Sequence, residues 1–133
     1  MKQEDRDLLL KDLSARLPYG VICTDSRHGD SRITQIDINP TNNEISVYYW
    51  DFDEYGFIEN CKPYLRPMSS MTEEEQIKFS SLCELTTDVN GEKVWSVKVV
   101  GYDWLNQHHF DYRGLIDKGL DLEAPEGMYN IKY

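Results

Sequence analysis

Leu10, Leu13 and Leu17 recur at helical spacing, with Leu9 widening the stripe, and predict an amphipathic helix over Gln3–Arg16. The pairs Asp7/Lys11 and Asp12/Arg16 stand one turn apart on what this pattern makes the exposed side. Pro18 keeps Leu17 out of the helical conformation, and Gly20 loosens the exit. Three stretches rich in β-branched and aromatic residues follow, at Tyr19–Thr24, Arg32–Ile38 and Glu44–Phe52. The turn-forming runs Ser26–Asp30 and Asn39–Asn43 join them, which predicts an antiparallel meander. In the third stretch Ile45, Val47 and Tyr49 fall on one face and Ser46, Tyr48 and Trp50 on the other. The first is a core face. The second is aromatic but less apolar, and a helix or a partner can cover it.

A fourth extended piece is expected at about Gly56–Lys62, after which Pro63 and Pro67 remove ladder donors and take the chain out of the sheet. Thr72-Glu73-Glu74-Glu75 is a capping box, and it opens a helix expected to reach about Leu85 with Ile77, Leu82 and Cys83 turned inward. Asn90-Gly91 predicts a two-residue type I′ hairpin. The strand after it alternates over Val94–Val100, with Trp95, Val97 and Val99 on one face. Asp103 is then expected to cap a short helix through about His109, and Asp111 another that stops at Gly119. An irregular tail is expected over Leu120–Tyr133. The expected class is α+β: a small, mostly antiparallel sheet or partly open barrel with an N-terminal helix, a central helix and two short C-terminal helices.

Composition narrows the partners. A chain of 133 residues with 40% apolar content is sized for one domain that folds alone. Its formal charge of -10 opposes nucleic-acid phosphates and anionic membranes. Up to Arg66 there are 8 basic and 12 acidic residues, and beyond it 6 and 12, so the charge is spread and no acidic tail exists. Cys23, Cys61 and Cys83 are odd in number, far apart and without a metal-ligand motif. They suit buried thiols in a reduced, cytoplasmic protein. The N-terminal leucines are too few for a secretion signal or a membrane span.

The densest run of chemically capable side chains is Tyr102–Arg113, from which His108, His109, Asp111, Tyr112 and Arg113 are candidates for ligand or partner binding. Adjacent histidines on a helix point about 100° apart, so they do not readily share one ion. The alternative for these rings is a structural role at a packed corner. Tyr48, Trp50 and Phe52 form the second candidate surface. Asp51–Gly56 begins like a calcium loop, but its fifth and twelfth positions hold Tyr55 and Lys62, which leaves an acidic turn that protects a sheet edge. A helix-turn-helix at the C-terminus would have only Arg113 and Lys118 against Asp111 and Asp117, which disfavours DNA reading. No phosphate loop, nucleophile elbow or His-Glu-x-x-His motif occurs, and no catalytic residue, cofactor or metal is expected.

The runs Lys62–Glu75, Tyr102–Asn106, His108–Ile116 and Gly119–Tyr129, with Leu8–Leu13 at the start, resemble a family of short uncharacterised proteins encoded by gut anaerobes and their phages or prophages. The resemblance covers both ends and the middle. It implies a setting and no chemistry. The leading expectation is thus a non-enzymatic accessory protein that binds another macromolecule, most simply a protein. One alternative is a small-ligand binder, for a nucleotide-like anion held by His108 and Arg113. Another is an acidic DNA mimic that occupies a DNA-binding enzyme. The aromatic strand face also leaves self-association into a homodimer open.

Overall fold

A computed structural model describes residues 1–129. In chain order the elements are helix α1 (Gln3–Arg16), strands β1 (Ile22–Asp25), β2 (Gly29–Asn39), β3 (Glu44–Tyr49), β4 (Glu54–Phe57) and β5 (Lys62–Pro67), helix α2 (Glu73–Ser81), strands β6 (Cys83–Thr87) and β7 (Lys93–Val97), helix α3 (Val99–Gln107), and the short strands β8 (Phe110–Asp111) and β9 (Leu122–Glu123). The class is α+β, with the N-terminal helix where the leucine spacing puts it.

The main sheet runs β4-β3-β2-β1-β5-β8, with β9 also paired to β5. Pairing is antiparallel from β4 through β5, whereas β8 and β9 run parallel to β5. The sheet is therefore mixed and open, not a barrel. The meander emerges because Ile45, Val47 and Tyr49 alternate inward as expected. They pack with Leu9, Leu13, Val21, Cys23, Ile33, Ile58 and Cys61, and each such aliphatic side chain contributes roughly 1.5–3 kcal/mol on burial. Gly56 belongs to this core because a Cβ there would stand 2.8 Å from the Tyr49 ring and 3.1 Å from the Asp25 carboxylate.

Several expectations are corrected. The chain stays in the sheet through Pro63–Pro67, since the amides between the prolines remain free to pair: Arg66 N–H donates to His109 O at 2.8 Å. Helix α2 ends at Ser81, with Cys83 already in β6, and Ile77 is exposed. The capping box itself is present, with Glu75 N–H donating to Thr72 Oγ1 at 3.1 Å and Thr72 N–H to Glu75 Oε1 at 3.0 Å.

The hairpin is not the two-residue form. Asp88 O accepts from Gly91 N–H at 3.1 Å and only Gly91 takes a positive φ, so the chain turns through four residues and then bulges at the glycine. Its Asp88 carboxylate, which receives Asn90 N–H and Glu92 N–H at 2.9 Å each, makes this longer turn the better one.

Helix α3 begins at Val99 rather than Asp103, with Gly101 inside it. A Cβ on Gly101 would come within 2.6 Å of Val97 and 3.0 Å of Leu82 O, so the glycine lets the helix sit against the hairpin base. The second C-terminal helix does not form. Asp111 does receive amides, Leu115 N–H at 2.9 Å and Ile116 N–H at 3.0 Å, but they close turns that lead to β9. The tail is ordered into β9 and a turn as far as Tyr129, and the last four residues of Leu120–Tyr133 lie outside the described residues.

Candidate functional site

The His108–Arg113 run lies where α3 ends and β8 begins, with α1 packed against α3 and tied to β8 through Arg16. Helix α1 buries its leucine stripe, Leu9 and Leu13 fully and Leu10 and Leu17 in part, but its inward face is wider than the leucines predict. Asp12 and Arg16 are fully buried alongside Leu9 and Leu13, so the pair expected in solvent lies inside. Arg16 Nε donates to Asp12 Oδ2 at 2.8 Å, Arg16 Nη2 to Asp12 Oδ1 at 3.2 Å, and Arg16 Nη2 also to Phe110 O at 2.6 Å. Asp12 Oδ1 further accepts Arg113 Nε at 3.1 Å. Arg113 Nη2 donates to Tyr112 Oη at 3.0 Å, and that hydroxyl donates to Asn106 Oδ1 at 2.9 Å. Both guanidinium groups lie over the Tyr112 ring, 5.5 and 4.9 Å from its centroid. One carboxylate therefore anchors two arginines, and the charges are largely spent on one another.

His109 is where the chain turns at this corner. Its φ of +60° is left-handed, a conformation unusual for a non-glycine residue. Its Nε2 lies 3.0 Å from Tyr19 O, which fixes that nitrogen as the donor. Its ring stacks on Tyr129 at 3.9 Å. Burial first, and then the Arg16 charge, push the imidazole down to about 3, so it is neutral throughout the physiological range. His108 is buried against Trp104, with ring centroids 4.5 Å apart, and burial lowers its pKa too, against the opposing pull of Glu75. The two rings have different surroundings, and because α3 ends at Gln107 it is the left-handed turn at His109, not the helix, that parts them.

Asp121 carried no signal in the sequence. It is 3% exposed, and among the described residues neither carboxyl oxygen has a hydrogen-bond partner. Burial, followed by the negative charges of Asp12 and Asp111, pushes it up to about 9. It is a neutral acid at pH 7.

Beside the corner, Arg66 Nη2 donates to Glu75 Oε1 at 2.7 Å, and the Arg66 guanidinium lies 4.1 Å from the Phe110 ring centroid. This pair borders a cavity of about 430 Å³ whose other polar edges include Ser70, Thr72, Glu123 and Glu126. Arg113, His108 and His109 do not line it. Among the described residues no three His, Cys, Asp or Glu side chains form a metal-binding group.

The second candidate surface is rearranged. Tyr48 and Tyr55 stand directly opposite across β3 and β4, with ring centroids 5.0 Å apart, and Tyr48 Oη donates to Asp53. Phe57, opposite Ser46, is half exposed, and Trp50 is exposed in the turn after β3. Phe52 instead packs on the first core, its ring 5.7 Å from that of His28. The tyrosine partner was missed because β4 begins two residues earlier than expected, at Glu54.

No family model, curated protein or solved structure matches this chain. No helix among the described residues is long and apolar enough to cross a membrane.

Proposed function

We propose that the chain is a binding protein of the phage or prophage accessory kind, and that its contact surface for a protein partner is the outer face of β3 and β4. The observation that carries this reading is the solvent-facing Tyr48/Tyr55 pair on the last two strands of the sheet, with Phe57 and Trp50 exposed nearby. Rigid aromatic rings supply large contact area for little lost side-chain entropy, which is why they dominate protein interfaces. β4 also ends the sheet and offers backbone groups for a partner strand. The corner supports the same division of labour. Its arginines are bound to Asp12 and Tyr112, which favours a structural role for His109, Tyr112 and Arg113 over capture of an anion.

The test is affinity capture from a lysate of the cells that encode the chain, comparing wild type with a Trp50→Ala/Tyr55→Ser variant of unchanged circular dichroism. The reading expects a stoichiometric protein partner held by wild type and lost from the variant. The same partner held equally by both would place the contact elsewhere.

A further inference from the structure

Over residues 33–61 the chain has six acidic residues and no lysine, arginine or histidine, so the outer part of β2 and all of β3 and β4 carry six of the ten net negative charges. Two of the six are answered from elsewhere, Glu59 by Arg6 at 2.7 Å and Glu54 by His28. Asp37, Glu44, Asp51 and Asp53 are exposed, and none is in an ion pair among the described residues. Two bases share the outer face of the sheet but stand at its β1 side. Arg32, whose carbonyl accepts Trp50 N–H, is opposite Ile22, and Lys62 is opposite Thr24.

The exposed rings lie within this charge. Glu44, Ser46 and Tyr48 follow one another along the outer face of β3. Asp37 and Phe57 flank Ser46 from β2 and β4, and Gln35 and Tyr55 flank Tyr48 in the same way. Tyr48 Oη donates to Asp53. Three rings are thus bounded by Asp37 and Glu44 at one end and by Asp53 at the other, with the small Ser46 leaving room between Phe57 and Asp37. A ring face attracts a cation, and a long basic side chain lays its alkyl stem on the ring while its head reaches a carboxylate. The two ends are one strand repeat of about 7 Å apart, which is the spacing of alternate side chains in an extended peptide. A second copy laid on this face would set carboxylates against carboxylates, and a nucleic acid would bring phosphates to them, so the charge excludes both.

We propose that the segment bound here is an extended stretch of a protein partner with lysine or arginine at alternate positions, laid along β3 with one cation between Phe57 and Asp37 and the next over Tyr48 and Tyr55 at Asp53. This rests on the partner surface proposed above and names the chemistry of its occupant.

The test is a nuclear magnetic resonance titration of the full chain with the blocked peptide Thr-Lys-Val-Arg-Thr-Lys-Thr. Saturable shifts at Tyr48, Tyr55 and Phe57 are expected, with a Kd on the order of a millimolar or tighter that weakens as salt is raised. Asp37→Asn with Asp53→Asn removes the two charges and keeps the shapes, since asparagine tolerates the φ of +52° at Asp53. This variant should bind about fivefold more weakly, and Tyr55→Ser about tenfold. The same composition ordered Lys-Lys-Arg-Thr-Val-Thr-Thr should bind at least about threefold more weakly. Absence of saturable shifts at the three rings, or binding unchanged in the Asn variant, overturns the proposal. Equal binding of the two peptides also overturns it, because net charge alone would then be at work. A captured partner that is lost from Trp50→Ala/Tyr55→Ser and kept by Asp37→Asn/Asp53→Asn leaves the surface in place and removes its basic occupant.

Discussion

Asp12 and Arg16, one turn apart on α1, are joined at 2.8 Å with neither side chain exposed, and the same carboxylate holds Arg113 from the far end of the chain. Two guanidinium groups and one carboxylate at a buried corner make the carboxylate the member whose loss is felt most. Asp12→Ala would strand Arg16 without its counter-charge, at a cost of about 3–5 kcal/mol. Arg113→Ala removes a group that still reaches solvent and should cost only about 1 kcal/mol. Urea unfolding of both variants checks the order. Near-equal midpoints would show that Asp12 does not organise the corner.

Much of what was legible is local, although the Asp88 carboxylate, itself local, makes the Asn90-Gly91 turn longer than the dipeptide implies. The bounds of α1, the Thr72 capping box and the inward alternation of Ile45, Val47 and Tyr49 all depend on residues within a turn or a strand of each other. Most of the rest depends on distant chain. Asp12 and Arg16 are buried because Phe110 O and Arg113, at sequence separations of 94 and 101, complete their bonding. Pro63–Pro67 stays in the sheet because β8 and β9 arrive in parallel beside it. Asp111 looks like a helix cap and does receive two amides, yet the amides belong to turns, since a cap residue specifies a donor arrangement and not the length of helix behind it. The Tyr48 face was legible in part: its alternation was evident, but its partner Tyr55 depended on where β4 begins.

Gly101 fixes the distance between α3 and the hairpin base. Because one of the atoms a Cβ would meet is the backbone oxygen of Leu82, at 3.0 Å, the clash cannot be relieved by a rotamer change alone. Gly101→Ala should destabilise by about 1–3 kcal/mol despite alanine's better helix propensity. Thermal unfolding followed by circular dichroism measures it, and a gain in stability would mean that the helix can move away freely.

His109 combines a left-handed backbone with a buried ring. Asparagine tolerates that backbone and can offer an amide donor, whereas valine does neither. His109→Asn should therefore retain more stability than His109→Val, by about 1–2 kcal/mol. The imidazole is also expected to stay neutral at pH 5, visible in its ring nitrogen chemical shifts. A protonated ring at that pH would contradict the burial and the Arg16 charge that hold it neutral, since the hydrogen bond to Tyr19 O is compatible with either form.

Asp121 and His109 give stability opposite dependences on pH. The Asp121 pKa rises from 3.8 unfolded to about 9 folded, so between those values the native state holds more protons and stability falls as pH rises. The His109 pKa falls from 6.5 to about 3, so between those values the unfolded state holds more protons and stability rises with pH. Each slope is at most about 1.4 kcal/mol per pH unit. From about pH 4 to 6.5 the Asp121 slope is opposed by His109 and also by His108, whose pKa burial lowers, and between pH 6.5 and 8 the Asp121 slope dominates, so wild type should lose stability there. Asp121→Asn has no proton to lose. It should be nearly flat from pH 6.5 to 8, more stable than wild type at pH 8, and should uncover the rise due to His108 and His109 below 6.5. Urea midpoints taken at intervals across this range decide the matter: profiles that run parallel in the two proteins would show that Asp121 is ionised in the folded chain.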